Sequence, residues 1–396
     1  MNKIILIVHP VILFLLGWLI SISPIAFGSE SFKYYNFVVN YNVIPIYLLG
    51  LIGFCIGVYL ISYLFSNFRE PEKIEFYNYK NIVVFIAVFS FIVFLSIIHV
   101  YGGIPIFNVL SGDKNISYIN DIQAATGGGR FGLFLLLVFS LIILLPGLFV
   151  NKKNNPIVFF VILFLCILYV IYSGKRQMLF VLFTYTFTYL IIFYYRTKNS
   201  YAMMTIFKIG CVFGCIIVFW FVYVGLVRTN TTMTISTVFQ PIVQYASLPF
   251  MNLTNIFDFA KFNFDSNSFH SLFSFVLSDT PYIIRHVILN DSFSVNMPLI
   301  EPTAPSTVFG MVFWLFGFSG VFCFLFLVGM LVSFIYQKAL VSRNSSYISM
   351  YSLCAWPLLS IHTYNHFISF MFFILPLLMI ICGRFVFLNL KLKVDV

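Results

Sequence analysis

Runs of about 20 apolar residues, almost free of charge, recur along this chain and limit its fold more than any other feature. The segments "VILFLLGWLISISPIAF", "VFIAVFSFIVFLSIIHV" and "MVFWLFGFSGVFCFLFLVGMLVSFI" are three of them. A bilayer core is roughly 30 Å thick, and only a helix of that length satisfies all its backbone groups internally within one segment. With 61% hydrophobic and 9% charged residues, the chain has too little polar surface to face water. The expected fold is therefore an all-α polytopic integral membrane protein.

Hydropathy places about ten transmembrane helices at 4–26, 42–66, 82–101, 131–150, 157–172, 178–195, 206–227, 306–336, 347–361 and 367–388. Together they make residues 1–396 a single transmembrane domain. The 306–336 run exceeds one crossing and is expected to tilt or to break at Gly317 or Gly320. The first run continues to about residue 26 without a small-residue cleavage site, so it is expected to stay as a span.

Lys and Arg set the orientation. With Lys3 on the cytoplasmic side, 14 of the 22 basic residues fall inside against four acids, and eight basic and eight acidic residues fall outside. The formal charge of +10 then belongs wholly to the inner face, where insertion alone accounts for it. Nucleic acid is not an expected partner, and membrane lipid is. The seven cysteines lie in apolar segments and read as small hydrophobes. No Walker loop, Rossmann glycine pattern or His-Glu-x-x-His helix is present, and no cofactor or metal is expected.

Polar residues gather on the expected outer side, chiefly in 102–130 and in a long periplasmic loop at 228–305. Within that loop, "VQYASLPFMNLTNIF" and "FHSLFSFVLSDTPYIIRHVIL" are apolar enough for short helices on, or dipping into, the membrane interface. Four arginines face the same side: Arg130 after "TGGG", Arg176 with Lys175 in a tight turn, Arg228 closing the seventh span, and Arg285. An outward Lys175–Arg176 pair opposes the orientation rule and so points to function. Guanidinium grips phosphate oxygens in a bidentate fork, and the nearby Gly127, Gly128, Gly129 and Gly174 offer further N–H groups. The alternative for each arginine is a snorkelling anchor at the headgroups.

Candidate bases on that side are His362 and His366, one helical turn apart, and His286 beside Arg285. Asp258, Asp279 and Glu301 lie there too. The competing reading of His362 and His366 is polar capping of a helix end. His9 and His99, isolated in apolar spans, read as hydrogen-bonded structural residues.

At these residues the chain resembles bacterial O-antigen or oligosaccharide repeat-unit polymerases, the Wzy family. The resemblance rests on "YGGIPIF" (101–107), "YSGKRQMLF" (172–180), "GLVRTN" (225–230), "YASLPFMNL" (245–253) and "PSTVFGMVFWLFGFSGVFCFLFLVGML" (305–331). It implies a glycosyltransferase in the bacterial inner membrane with its active face in the periplasm. That enzyme would move a growing glycan from undecaprenyl diphosphate to the non-reducing end of an incoming lipid-linked repeat unit. A chain-length regulator is a further partner compatible with it. Arg176 and Arg228 match the arginines thought to hold the diphosphate in that family. Many relatives carry an acid just before the Phe-Gly of "WLFGFSG", where this chain has Leu315 and Phe316. A flippase for the same lipid-linked sugars and an O-antigen ligase remain alternatives, since both handle the same headgroup.

Overall fold

The computed structural model describes residues 3–27, 37–65, 80–101, 176–229, 240–259 and 307–362, with single positions at 74, between 137 and 167, and between 367 and 381. Among these residues the elements are all helices. A 3-10 helix Lys3–Val8 leads into α1 (Pro10–Ile22) and the short α2 (Pro24–Phe27). A 3-10 turn Tyr41–Val43 opens α3 (Ile44–Leu64), followed by α4 (Lys80–Tyr101), α5 (Arg176–Arg196) and α6 (Ser200–Thr229). The last three are α7 (Gln240–Phe259), α8 (Val308–Val341) and α9 (Ser346–Leu359). Four described helices are long and apolar enough to cross a membrane: Tyr41–Leu64, Leu179–Arg196, Ser200–Trp220 and Val308–Val341. Pro10–Ala26 and Val84–His99 are apolar but shorter. The expected spans at 131–150, 157–172 and 367–388 fall almost wholly outside the described residues.

The first apolar run is not one helix, and its prolines explain why. Pro10 lacks an N–H and suits the first helical turn, so α1 starts there, and Pro24 starts α2 in the same way. His9 is extended (φ −69°, ψ 138°), and its Nδ1 accepts the Val11 N–H at 3.3 Å. It is thus an N-cap, a structural role. His99 is exposed in the last turn of α4.

The closest pairing is α3 against α8, and it is built on glycine. A Cβ at Gly57 would lie 2.2 Å from the Phe326 carbonyl oxygen, and one at Gly329 would lie 2.4 Å from that of Phe54. The two backbones touch, as small residues allow in a membrane where apolar side chains gain nothing by leaving lipid. Ser333 adds a hydroxyl bond to the Val58 carbonyl at 3.3 Å.

The long α8 breaks at Gly317, whose φ of 65° and ψ of −160° are open only to glycine. Val308–Phe316 is therefore a short buried segment, and the remainder to Val341 is about one bilayer crossing in length. Phe257 of α7 packs beside the break, 5.6 Å from the Phe313 ring and 6.4 Å from Phe318.

α7 covers 243–257, the stretch expected to form a short helix on, or dipping into, the membrane interface, and much of it is buried against other helices. Phe250, Met251, Leu253 and Ile256 are buried, and so are the polar Ser247, Asn252 and Thr254. With apolar side chains around its circumference, α7 packs inside the bundle, against α8 and α1. Thr254 meets its own helix by donating to the Phe250 carbonyl at 3.2 Å.

Candidate active site

α5 and α6 are joined by a turn at 197–199, where Lys198 takes a positive φ of 54°, so they run antiparallel. Their contact places Phe187 over Gly210 and Phe183 over Gly214. Arg176, the first residue of α5, and Arg228, the penultimate residue of α6, therefore occupy the same end of the bundle. α9 packs along α5, with the Phe180 and Trp356 rings stacked at 6.2 Å. Phe180 is about one turn past Arg176, and Trp356 lies shortly before His362. The topology thus brings three of the expected site positions, Arg176, Arg228 and His362, to one end of three packed helices. Lys175, Arg130, Arg285, His286 and His366 lie outside the described residues, as do Asp279 and Glu301. Asp258 is exposed at the end of α7 and accepts from Asn40 Nδ2 at 2.7 Å, which ties the segment before α3 to this end.

His362 sits in the turn that follows α9. Its Nδ1 lies 3.1 Å from the Leu359 carbonyl oxygen. A carbonyl only accepts, so Nδ1 carries the proton and Nε2 of the neutral ring carries the lone pair. The ring is buried, and desolvation pushes its pKa down to about 4, partly offset by the bond to Leu359. At neutral pH it is an uncharged imidazole. Capping and basicity, the two readings open from sequence, use different ring nitrogens.

The turn is gripped from two sides. Val308, the first residue of α8, donates its N–H to the Ile361 carbonyl at 3.1 Å. Gly17 of α1 lies beneath it, where a Cβ would meet the Leu358 carbonyl oxygen at 2.4 Å and that of Leu359 at 2.8 Å. Thr307 caps α8 by accepting from the Gly310 N–H at 3.0 Å. Tyr47 of α3 is fully buried beside it, hydrogen-bonded to Ser21 and with the Thr307 side chain next to its hydroxyl. Sequence reasoning did not single out Tyr47, Ser21 or Thr307. The one local signal is Thr307 before a long apolar run, the signature of an N-cap.

Several packed helices long and apolar enough to cross a bilayer define a polytopic membrane protein, and Arg176, Arg228 and His362 share one end of its bundle. The chain belongs to the O-antigen polymerase family, whose family model matches residues 5–364, nearly its whole length. No curated protein and no solved structure matches it. Membership brings with it the broad activity of that family, glycan polymerisation on lipid-linked substrates.

Proposed function

We propose that this protein polymerises undecaprenyl-diphosphate-linked oligosaccharide repeat units into O-antigen or a related surface polysaccharide at the periplasmic face of the inner membrane. The observation that carries this reading is the shared end of α5, α6 and α9, where Arg176, Arg228 and the neutral His362 stand in a chain of the O-antigen polymerase family.

Nε2 of His362 takes the proton from the acceptor sugar hydroxyl. The oxygen so activated attacks the anomeric carbon of the donor glycan, and the bond from that carbon to the diphosphate oxygen breaks. Undecaprenyl diphosphate leaves with the bonding electron pair. Arg176 and Arg228 hold its oxygens, with Lys175, Arg130 and Arg285 as further cations of the same side. Charge grows on the leaving oxygen during the step, so cations placed in advance stabilise the transition state more than the ground state. His366 and His286 are the other candidate bases.

Deleting the gene and resolving the surface polysaccharide on a gel tests the activity. Lipid A core capped with a single repeat is the expected result. Complete loss of glycan from lipid A identifies a ligase, and cytoplasmic build-up of lipid-linked units identifies a flippase.

A further inference from the structure

The two elements that grip the His362 turn are α1, through Gly17 under the Leu358 and Leu359 carbonyls, and α8, through the Val308 N–H on Ile361. The hydroxyl of Tyr47 joins the same two elements. It donates to the Ser21 carbonyl of α1 at 3.4 Å and accepts from Ser21 Oγ at 3.3 Å. The side chain of Thr307, the cap of α8, lies beside the same hydroxyl. A second tie to α1 runs through the Trp18 indole N–H, which donates to the Tyr47 carbonyl at 3.0 Å. The Tyr47 ring also rests on Phe309 of α8 at 4.6 Å and faces Phe250 of α7 at 6.3 Å.

We propose that Tyr47 is a positioning residue for the reaction, joining α1 to the cap of α8 so that the turn bearing His362 is held with its imidazole in place. The proposal rests on His362 being the base. Ser21, Tyr47, Thr307 and Ile361 are all buried to within 1% of complete, so no water competes for these bonds. Two carbonyls set the turn. Leu359 fixes the ring through Nδ1, and its oxygen presses on Gly17; Ile361, next to His362, is fixed by the first N–H of α8. Tyr47 touches neither the imidazole nor the reacting atoms. Without its hydroxyl, the hydrogen bonds that link α1 to the cap of α8 are lost, while the ring packing on Phe309 and the Trp18 bond to its carbonyl remain, and the base loses its fixed distance to the acceptor.

The test uses the full-length protein in liposomes, with lipid-linked repeat units extracted from cells deleted for the gene as substrate. Tyr47→Phe keeps the ring and removes the hydroxyl. The expected result is a kcat lower by about tenfold with KM unchanged, measured at a temperature well below the melting of both proteins. His362→Ala is slow, and adding Tyr47→Phe to it slows it no further, because Tyr47 acts only through the imidazole. Thr307→Val reproduces the kcat loss and Thr307→Ser restores it, which keeps the test open if Tyr47→Phe inserts poorly. A wild-type kcat for Tyr47→Phe overturns the proposal. So does a double variant slowed by the product of the single effects, which leaves His362 as base and makes Tyr47 merely structural. Wild-type turnover by His362→Ala removes the base itself, and the proposal with it.

Discussion

The Arg196 guanidinium donates to the Ala339 backbone carbonyl at 3.4 Å, linking the last residue of α5 to the last turn of α8. The same group reaches Val341 at 3.4 Å and also Ser342. These are the carbonyls a helix leaves without partners at its C-terminus, where the dipole favours a cation. Arg196→Met therefore removes a charged cap from a buried helix end, at a cost of about 1.5–3 kcal/mol. The melting temperature of the detergent-solubilised protein falls, and Arg196→Lys lies between, having the charge without the fork. Equal melting of all three proteins rejects the cap.

Glycine at the α3–α8 contact gives a sharper contrast. Gly57→Ala places a methyl 2.2 Å from the Phe326 carbonyl oxygen, which cannot swing aside as a side chain would. Overpacking of this kind costs about 1–3 kcal/mol. At Gly214 the nearest atom to a new Cβ is on the Phe183 ring at 3.7 Å, an ordinary contact. Gly57→Ala is expected to lose monodisperse protein on heating before size-exclusion chromatography, while Gly214→Ala behaves as wild type.

How far the sequence carries is visible in these residues. Hydropathy finds the bodies of α3, α5, α6 and α8 because each is an unbroken apolar run, and a glycine inside an overlong run foretells the break at Gly317. It passes over the division at His9 and Pro10, since one cap in a greasy stretch barely changes a window average. Arg196 is legible as one of the basic residues that orient the chain. Its role as a cap is not, because Ala339 is 143 residues away. The same holds for Tyr47 and Thr307, which become a unit only when α3 and α8 pack. Arg176 and Arg228 stand out in sequence because charge is rare here, whereas a buried hydroxyl looks like any other polar residue in a span.

Orientation has its own test, motivated by the excess of Lys and Arg on one side. A cysteine placed at Ser173 or Ser266 in a protein otherwise free of reactive thiols is expected to react with an impermeant maleimide in intact cells. One placed at Asn154 is expected to react only after lysis. Labelling of Asn154→Cys from outside inverts the topology and puts His362 in the cytoplasm.

The low pKa of His362 predicts an unusual acid limb. A base must be neutral, and burial keeps the ring neutral down to about pH 4. Turnover in liposomes is therefore flat from about pH 8 to 5 and falls only as the folded protein protonates near 4. An acid limb near 6.5, the ordinary histidine value, shows a solvated ring and counts against the buried turn. Stability carries the opposite signature in the same window. Between about 6.5 and 4 the unfolded state holds a proton that the folded state excludes, so this group lowers stability as pH falls through that range. His362→Gln removes that contribution to the slope.

Arg176 offers the most direct test of the diphosphate site, since it opens α5 at the end shared with Arg228 and His362. A bidentate fork on phosphate needs both the charge and the planar geometry of guanidinium. Arg176→Ala loses both, and a hydrogen bond to a charged group is worth about 1.5–3 kcal/mol, so elongation slows roughly tenfold to a hundredfold. Arg176→Lys retains the charge alone and falls between alanine and wild type. A headgroup anchor behaves differently, because lysine snorkels as well as arginine and alanine is nearly harmless. The measurement is the chain-length distribution of surface glycan at matched protein level in the membrane. A shift to short chains for alanine, with lysine intermediate, identifies the fork. A wild-type ladder from Arg176→Ala removes this residue from the site and leaves Arg228 as the arginine to test next.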